Sequence, residues 1–174
     1  QGDPTAIANW MAAADAVVAQ ALTAVHHRPG AAMLAAAWLA PDGIGHLVRV
    51  GDARVYRFDA HTCILEPLTQ DQTYAHMGEA PPPGGHSDDP ARMVGSGCLG
   101  TPEVQHLSLA PHHTLLLCTD GLARGAEAAT LAAILGAATL AEGLDGTARD
   151  LCLAALHGGS QDDITVLLAR RVPH

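Results

Sequence analysis

Short runs rich in apolar residues, most of them framed by Gly, Pro or Asp, recur along this chain and limit what it can fold into. Residues 44–50 (IGHLVRV), 53–59 (ARVYRFD), 63–68 (CILEPL), 103–109 (EVQHLSL), 114–119 (TLLLCT) and 164–169 (ITVLLA) have the length and the boundaries of strands. Pro67 marks 63–68 as an edge segment, because proline cannot donate to a ladder. Residues 31–40 (AAMLAAAWLA) are apolar throughout and would also suit a helix. Pro29-Gly30 before them and Pro41-Asp42-Gly43 after them frame a short element, read as a buried strand followed by a hairpin turn.

Helical periodicity flanks these strands. In residues 6–27, Ile7, Trp10, Met11, Ala14, Val17, Val18, Ala21, Leu22 and Val25 recur at three- and four-residue steps with no Gly or Pro between them. Arg28-Pro29-Gly30 ends that helix. Residues 126–136 and 138–156 read as two further Ala- and Leu-rich helices, split near Gly136 and loosened at Gly143 and Gly146. Residues 69–97 show neither period. PPPGG at 81–85 and HSDDP at 86–90 make this a long flexible loop of the sort that carries function in compact domains.

The 174 residues fit one domain, and 48% apolar content is enough for a packed core. Aromatic residues are only 3%, so Ala, Val, Leu and Ile must build it. All nine basic residues are Arg, and 18 acidic residues bring the net charge to -9. That balance excludes a nucleic-acid backbone binder, whose affinity needs clustered cations. Cys63, Cys98, Cys118 and Cys152 contain no Cys-x-x-Cys pair, so no zinc ribbon is expected. Cys118 and Cys152 sit in apolar runs and read as buried small hydrophobes in a reducing, cytoplasmic setting. No apolar stretch reaches the length of a membrane span, and no signal peptide is visible. The sequence begins at Gln1 rather than Met, which suggests that something upstream is missing.

Three aspartates share one setting. Asp52 follows a strand and a Gly in VRVGDAR, Asp120 follows an apolar strand in LLLCTDG, and Asp162 stands just before one in GSQDDITVLLA. Carboxylates at strand ends can converge at one sheet edge, where they repel unless a cation joins them. Oxygen-only ligands favour Mg²⁺ or Mn²⁺. On spacing alone, each Asp taken singly reads first as a turn or helix cap. The pairs His26-His27 and His112-His113 read as solvated side chains rather than metal ligands, Asp88-Asp89 as a solvated turn, and Asp15 as facing outward from its helix.

Five strings in one order add a resemblance. GDARVYRF, LTQDQT, CLG, LLLCTDGL and GSQDDITVLL resemble the motifs of the metal-dependent type 2C protein phosphatases (PPM) over about residues 6–170. The resemblance implies an α+β fold: a two-sheet antiparallel β-sandwich flanked by helices. It implies a binuclear Mn²⁺ or Mg²⁺ centre and hydrolysis of phosphoserine or phosphothreonine by a metal-activated water. Carried over, Asp120 and Asp162 match core metal ligands, and Asp52 matches an aspartate tied to a further, weaker metal. Arg54 matches a structural arginine, and loop 69–97 matches the flap that borders the active site. Gln72 stands where the family has His, and Asp163 where it has Asn.

The family's N-terminal third has no counterpart in these residues. That part carries a phosphate-binding Arg, a Glu-Asp pair and the Asp-Gly-x-Gly-Gly loop whose Asp bridges both metals. Asp42-Gly43-Ile44-Gly45 has similar letters but reads as a hairpin turn. The expectation is therefore one incomplete phosphatase 2C-like domain over 1–174, truncated at the N-terminus, with no catalytic residue of its own assigned. It is expected to be inactive alone, its metal site weak or empty, and to self-associate through exposed sheet edges. The implied partners are a phosphorylated protein and a cognate Ser/Thr kinase pathway. The alternative is a pseudophosphatase-type regulatory or phosphoprotein-binding module.

Overall fold

The computed structural model describes residues 3–26, 30–95, 97, 99–138 and 143–171. In chain order the elements are α1 (Pro4–His26), β1 (Leu34–Leu39), β2 (Ile44–Val50), β3 (Arg54–Asp59), β4 (Ile64–Pro67), α2 (Tyr74–Met77), β5 (Glu103–Ser108), β6 (His113–Cys118), α3 (Asp120–Gly125), α4 (Ala128–Ala137), α5 (Leu144–His157) and β7 (Val166–Arg170). The strands form two antiparallel sheets, β1-β2-β5 and β4-β3-β6-β7, with helices flanking them. The chain divides into two compact units. One combines residues 1–40, 44–53 and 70–107, and the other residues 41–43, 54–69 and 108–174.

In the first unit, Met11 of α1 packs with Val48, Val50 and Leu99, with Ile7, Leu34, Val94 and Val104 around them. Asp15, expected to face outward, lies on the same helix face as Met11. It is buried, and its carboxylate accepts the Gly95 N–H at 2.5 Å. β1 pairs with β2 from Leu34↔Val50 to Leu39↔Gly45, which fixes the expected hairpin. Its turn places Gly43 at φ +86°, a conformation that L side chains rarely adopt. The reading of 31–40 as a buried strand is corrected in two respects. The strand spans only Leu34–Leu39, and it is a sheet edge, with Trp38 55% exposed. An all-apolar run signals burial on both faces only when strands cover both of its sides.

The loop over 69–97 is better held than its composition suggests. Thr73 caps the single turn of α2 by accepting the His76 N–H, and Gly78 closes it at φ +66°. Thr73 also bridges Pro90, and Ala32 bridges Val94. Both terminal guanidinium nitrogens of Arg92 donate to the Glu79 carboxylate, holding its carboxyl below the ordinary range. The His86 N–H donates to Asp89 at 2.7 Å, so Asp89 closes a turn, as expected of Asp88-Asp89.

In the second unit, β6 runs between β3 and β7 and is the best-covered strand. Phe58, Leu116, Leu122, Leu131, Leu135 and Leu151 are each at most 1% exposed and form its core with Cys118, Ala126 and Ala155. Each such side chain contributes about 1.5–3 kcal/mol relative to exposure. With one Phe in the chain, leucines from three helices supply the bulk. Cys118 is buried as expected, whereas Cys152 is only half-buried. The helix expected over 126–136 is α4, Ala128–Ala137, and a separate short helix, α3, precedes it from Asp120. A one-and-a-half-turn helix is too short to show a period. α5 begins at Leu144 rather than 138, after Gly143 at φ +71°; residues 139–142 lie outside those described. Among the described residues no helix is long and apolar enough to cross a membrane.

Candidate metal centre

The carboxyl end of β6 carries the most informative geometry. Cys118 ends the strand, Thr119 is the extended N-cap residue of α3, and Asp120 is that helix's first residue. The segment 160–165, leading into β7, runs beside it. The Thr119 hydroxyl donates to the Asp163 carbonyl at 2.9 Å and accepts the Thr165 N–H at 3.0 Å. The Ser160 hydroxyl donates to the Gly121 carbonyl at 2.8 Å. These three bonds stitch the TDG and SQDD strings together. Gly121 permits the approach, since a Cβ there would lie 2.5 Å from the Asp163 carbonyl oxygen.

The stitching brings Asp120 and Asp162 onto one cation, and that cation is a side chain. The Arg124 guanidinium, one helical turn beyond Asp120, lies 2.7 Å from Asp120 Oδ2 and 3.7 Å from Asp162 Oδ2. The Asp120 side chain is 17% exposed, Asp162 48% and Arg124 55%, so the trio opens to solvent. An ion pair this exposed contributes at most about 1 kcal/mol. Its interest is positional, because two carboxylates far apart in sequence face a single positive centre. The expectation that these charges repel one another without metal is modified accordingly, since Arg124 offsets the repulsion.

Asp52 lies in the first unit, at the corner after β2. It is buried. The corner is fixed by Gly51, at φ +91°, and by Gln72, whose Oε1 accepts the Gly51 N–H at 2.9 Å and whose N–H donates to the Gly51 carbonyl at 3.1 Å. The nearby Arg49 guanidinium donates to Glu103 and to the Gly51 carbonyl. Gln72, noted in the sequence only as a departure, is thus a structural clamp on the Gly51-Asp52 corner.

Sequence reasoning missed two features. Arg124 carried no motif signal. Asp59 was not singled out, and His112-His113 read as solvated, yet ligand atoms of Asp59, His112 and His113 lie within 4.8 Å of one another. The cause is strand register: Asp59 ends β3 opposite His113, which begins β6. The backbone N–H of His61, the leading influence, holds the Asp59 carboxyl below its ordinary range. Burial, then the His112 and Arg57 charges, push the His113 imidazole below its ordinary value. His27 and the side chain of His26 fall outside the described residues, as does Cys98 of the CLG string.

Two antiparallel sheets with flanking helices define the class, the phosphatase 2C-like fold. The S. agalactiae serine/threonine phosphatase superposes with a TM-score of 0.74 at 19% identity, over 93% of this chain and 68% of that one. The Mycobacterium tuberculosis serine/threonine phosphatase PstP/Ppp gives 0.72 at 23% identity, over 90% and 67%. The catalytic domain of the serine/threonine phosphatase PstP in complex with two manganese ions gives 0.69 at 26% identity, over 90% and 66%. The chain thus spans about two thirds of the length of these solved relatives. Residues 8–172 match the family model described as Stage II sporulation protein E (SpoIIE), and the chain belongs to that family. No curated protein sequence matches it.

Proposed function

We propose that this chain supplies part of the metal centre of a Ser/Thr protein phosphatase that hydrolyses phosphoserine or phosphothreonine in proteins. The observation that carries this reading is the shared cation position: Asp120 and Asp162 both address the Arg124 guanidinium. Their donor set is oxygen only, which suits Mn²⁺ or Mg²⁺. A divalent cation bound there supplies a water of lowered pKa and polarises a phosphoryl oxygen.

The chain's own part is to hold and orient. Thr119 and Ser160 fix the two carboxylate-bearing segments against each other, so little freedom is lost when a cation binds. Arg124 keeps the carboxylates together when no metal is present, and its guanidinium must leave before a metal can take that position. Asp52, held by the Gln72 clamp in the first unit, matches by motif alone the weaker third metal position of the family. Two carboxylates do not complete a binuclear site. Turnover therefore needs the family's bridging Asp-Gly-x-Gly-Gly loop, and these 174 residues alone should show little.

The test has two parts. Mn²⁺ titrated into the chain by calorimetry should bind weakly, and Asp120→Asn or Asp162→Asn should abolish that heat. Para-nitrophenyl phosphate hydrolysis with excess Mn²⁺ should be near background for this chain and substantial for a longer form that carries the bridging loop. Manganese binding unaffected by either substitution would refute the ligand assignment. Metal binding without turnover in the longer form would favour the phosphoprotein-binding alternative.

A further inference from the structure

The amino end of β6 gathers a second set of ligand groups, of different chemistry. Asp59 is the last residue of β3 and pairs in register with His113, the first residue of β6. The Ala60 N–H donates to the His112 carbonyl at 3.1 Å and ties the β3 end to the turn that carries both histidines. His112 Nε2 lies 3.8 Å from Asp59 Oδ1. The His61 ring stacks on His112 at 4.2 Å with 9° between the planes, and His113 meets His112 edge-on at 4.3 Å and 65°. Asp59 is itself fixed, accepting the His61 N–H at 2.8 Å.

We propose that Asp59, His112 and His113 form a binding site for a borderline transition cation of the Zn²⁺ class, separate from the Asp120–Asp162 centre. Ligand atoms of the three residues lie within 4.8 Å of one another. Zn–N and Zn–O bonds of about 2.0–2.2 Å put tetrahedral donors roughly 3.3–3.5 Å apart, so closure needs shifts of about 1 Å, within reach of small side-chain rotations. Two imidazoles and one carboxylate suit Zn²⁺, whereas an oxygen-only set suits Mg²⁺ or Mn²⁺. The two ends of β6 are on the order of 20 Å apart at strand rise.

Protonation is consistent with this. Cation binding needs neutral imidazole and ionised carboxylate. The His113 imidazole is pushed below its ordinary value by burial, His112 and Arg57, against opposing Asp59 and Glu66, and the Asp59 carboxyl lies low as well. One local bond must be exchanged. His113 Nδ1 accepts the Ala110 N–H at 3.1 Å, so its proton sits on Nε2. Coordination through Nε2 moves that proton to Nδ1, where it would face the Ala110 N–H, so the ring turns and leaves that half-buried N–H to water. Asp59 keeps its bonds from His61 and Thr62 and offers its remaining lone pairs; it and His112 are the primary ligands, with His113 joining them. The remaining position is left to water, and the cation clips β3 to β6.

Zn²⁺ titrated into the full chain by calorimetry should show a site that His112→Ala weakens by about tenfold or more, while Mn²⁺ binding stays within about twofold. Zn²⁺ should also raise the melting temperature by a few degrees, and Asp59→Asn should reduce that rise. Ring-nitrogen NMR of the unmodified chain covers the case in which a variant fails to fold: one equivalent of Zn²⁺ should shift the His112 and His113 ring nitrogens. Wild-type Zn²⁺ affinity in both variants overturns the proposal. So does an absence of ring-nitrogen shifts at these two residues. Because Asp120 and Asp162 play no part in this site, Asp120→Asn should leave its Zn²⁺ affinity unchanged, which separates its failure from failure of the phosphatase reading.

Discussion

The two ends of β6 make a useful contrast. At the carboxyl end, two carboxylates from separate strings meet on an arginine and are held by hydroxyl bonds from Thr119 and Ser160. At the amino end, two imidazoles and a carboxylate gather through strand pairing and ring stacking. The first end offers hard oxygen donors with a cation already between them. The second offers mixed nitrogen and oxygen donors. One strand, lying between β3 and β7, thus carries a different donor set at each end, with the leucine-rich core between them. What differs is ligand type, and ligand type selects the metal.

The largest expected effect bears on the carboxyl end. In a form able to turn over, Asp120→Asn or Asp162→Asn should lower Mn²⁺-dependent hydrolysis by more than the roughly 10–100-fold lost when a supporting partner of a metal ligand is removed. The fold should survive, because both side chains reach solvent. Loss of circular dichroism in either variant would make these residues structural caps instead.

Next in size is Gly121→Ala. The added Cβ would lie 2.5 Å from the Asp163 carbonyl oxygen and 3.3 Å from the Asp162 Cβ, pushing the two carboxylate segments apart. A stability loss of about 1–3 kcal/mol in urea is expected, as for other overpacked sites. Gly146→Ala in α5 is the control. Beyond its chain neighbours and the backbone of its own helix, nothing lies within 4 Å of a Cβ there, so a helix gain of about 0.5–1 kcal/mol should follow. Equal destabilisation by both would show that the close approach at Gly121 has no special role.

Legibility in the sequence followed the same divide. The strands were readable because turn residues bracket apolar runs, and β2 runs over Ile44–Val50 as its alternation indicated. Asp120 and Asp162 could be singled out because each sits beside a strand, in a short string that resembles a family motif. Arg124 was not, since an arginine one turn into a helix looks like any solvated side chain until the second carboxylate is placed beside it. Nor was the Asp59–His112–His113 group, because it depends on the β3–β6 register, which local patterning does not encode. Asp15 was misread for a related reason: its partner Gly95 lies far along the chain.

A smaller effect tests the internal cation. Arg124→Ala should raise Mn²⁺ affinity several-fold by freeing both carboxylates, and metal-free stability should change by less than about 1 kcal/mol. Unchanged or weaker Mn²⁺ binding would mean that Arg124 does not compete for the metal position.

Paramagnetic Mn²⁺ offers the most direct measurement on the central claim. Backbone resonances of the labelled chain, followed during a Mn²⁺ titration, broaden according to distance from the ion. The account predicts that broadening begins at residues 119–124 and 160–163 together, with the Arg124 side-chain signal lost or shifted as its guanidinium gives way. Broadening that begins elsewhere, or that touches only one of the two segments, would contradict a cation site shared by Asp120 and Asp162.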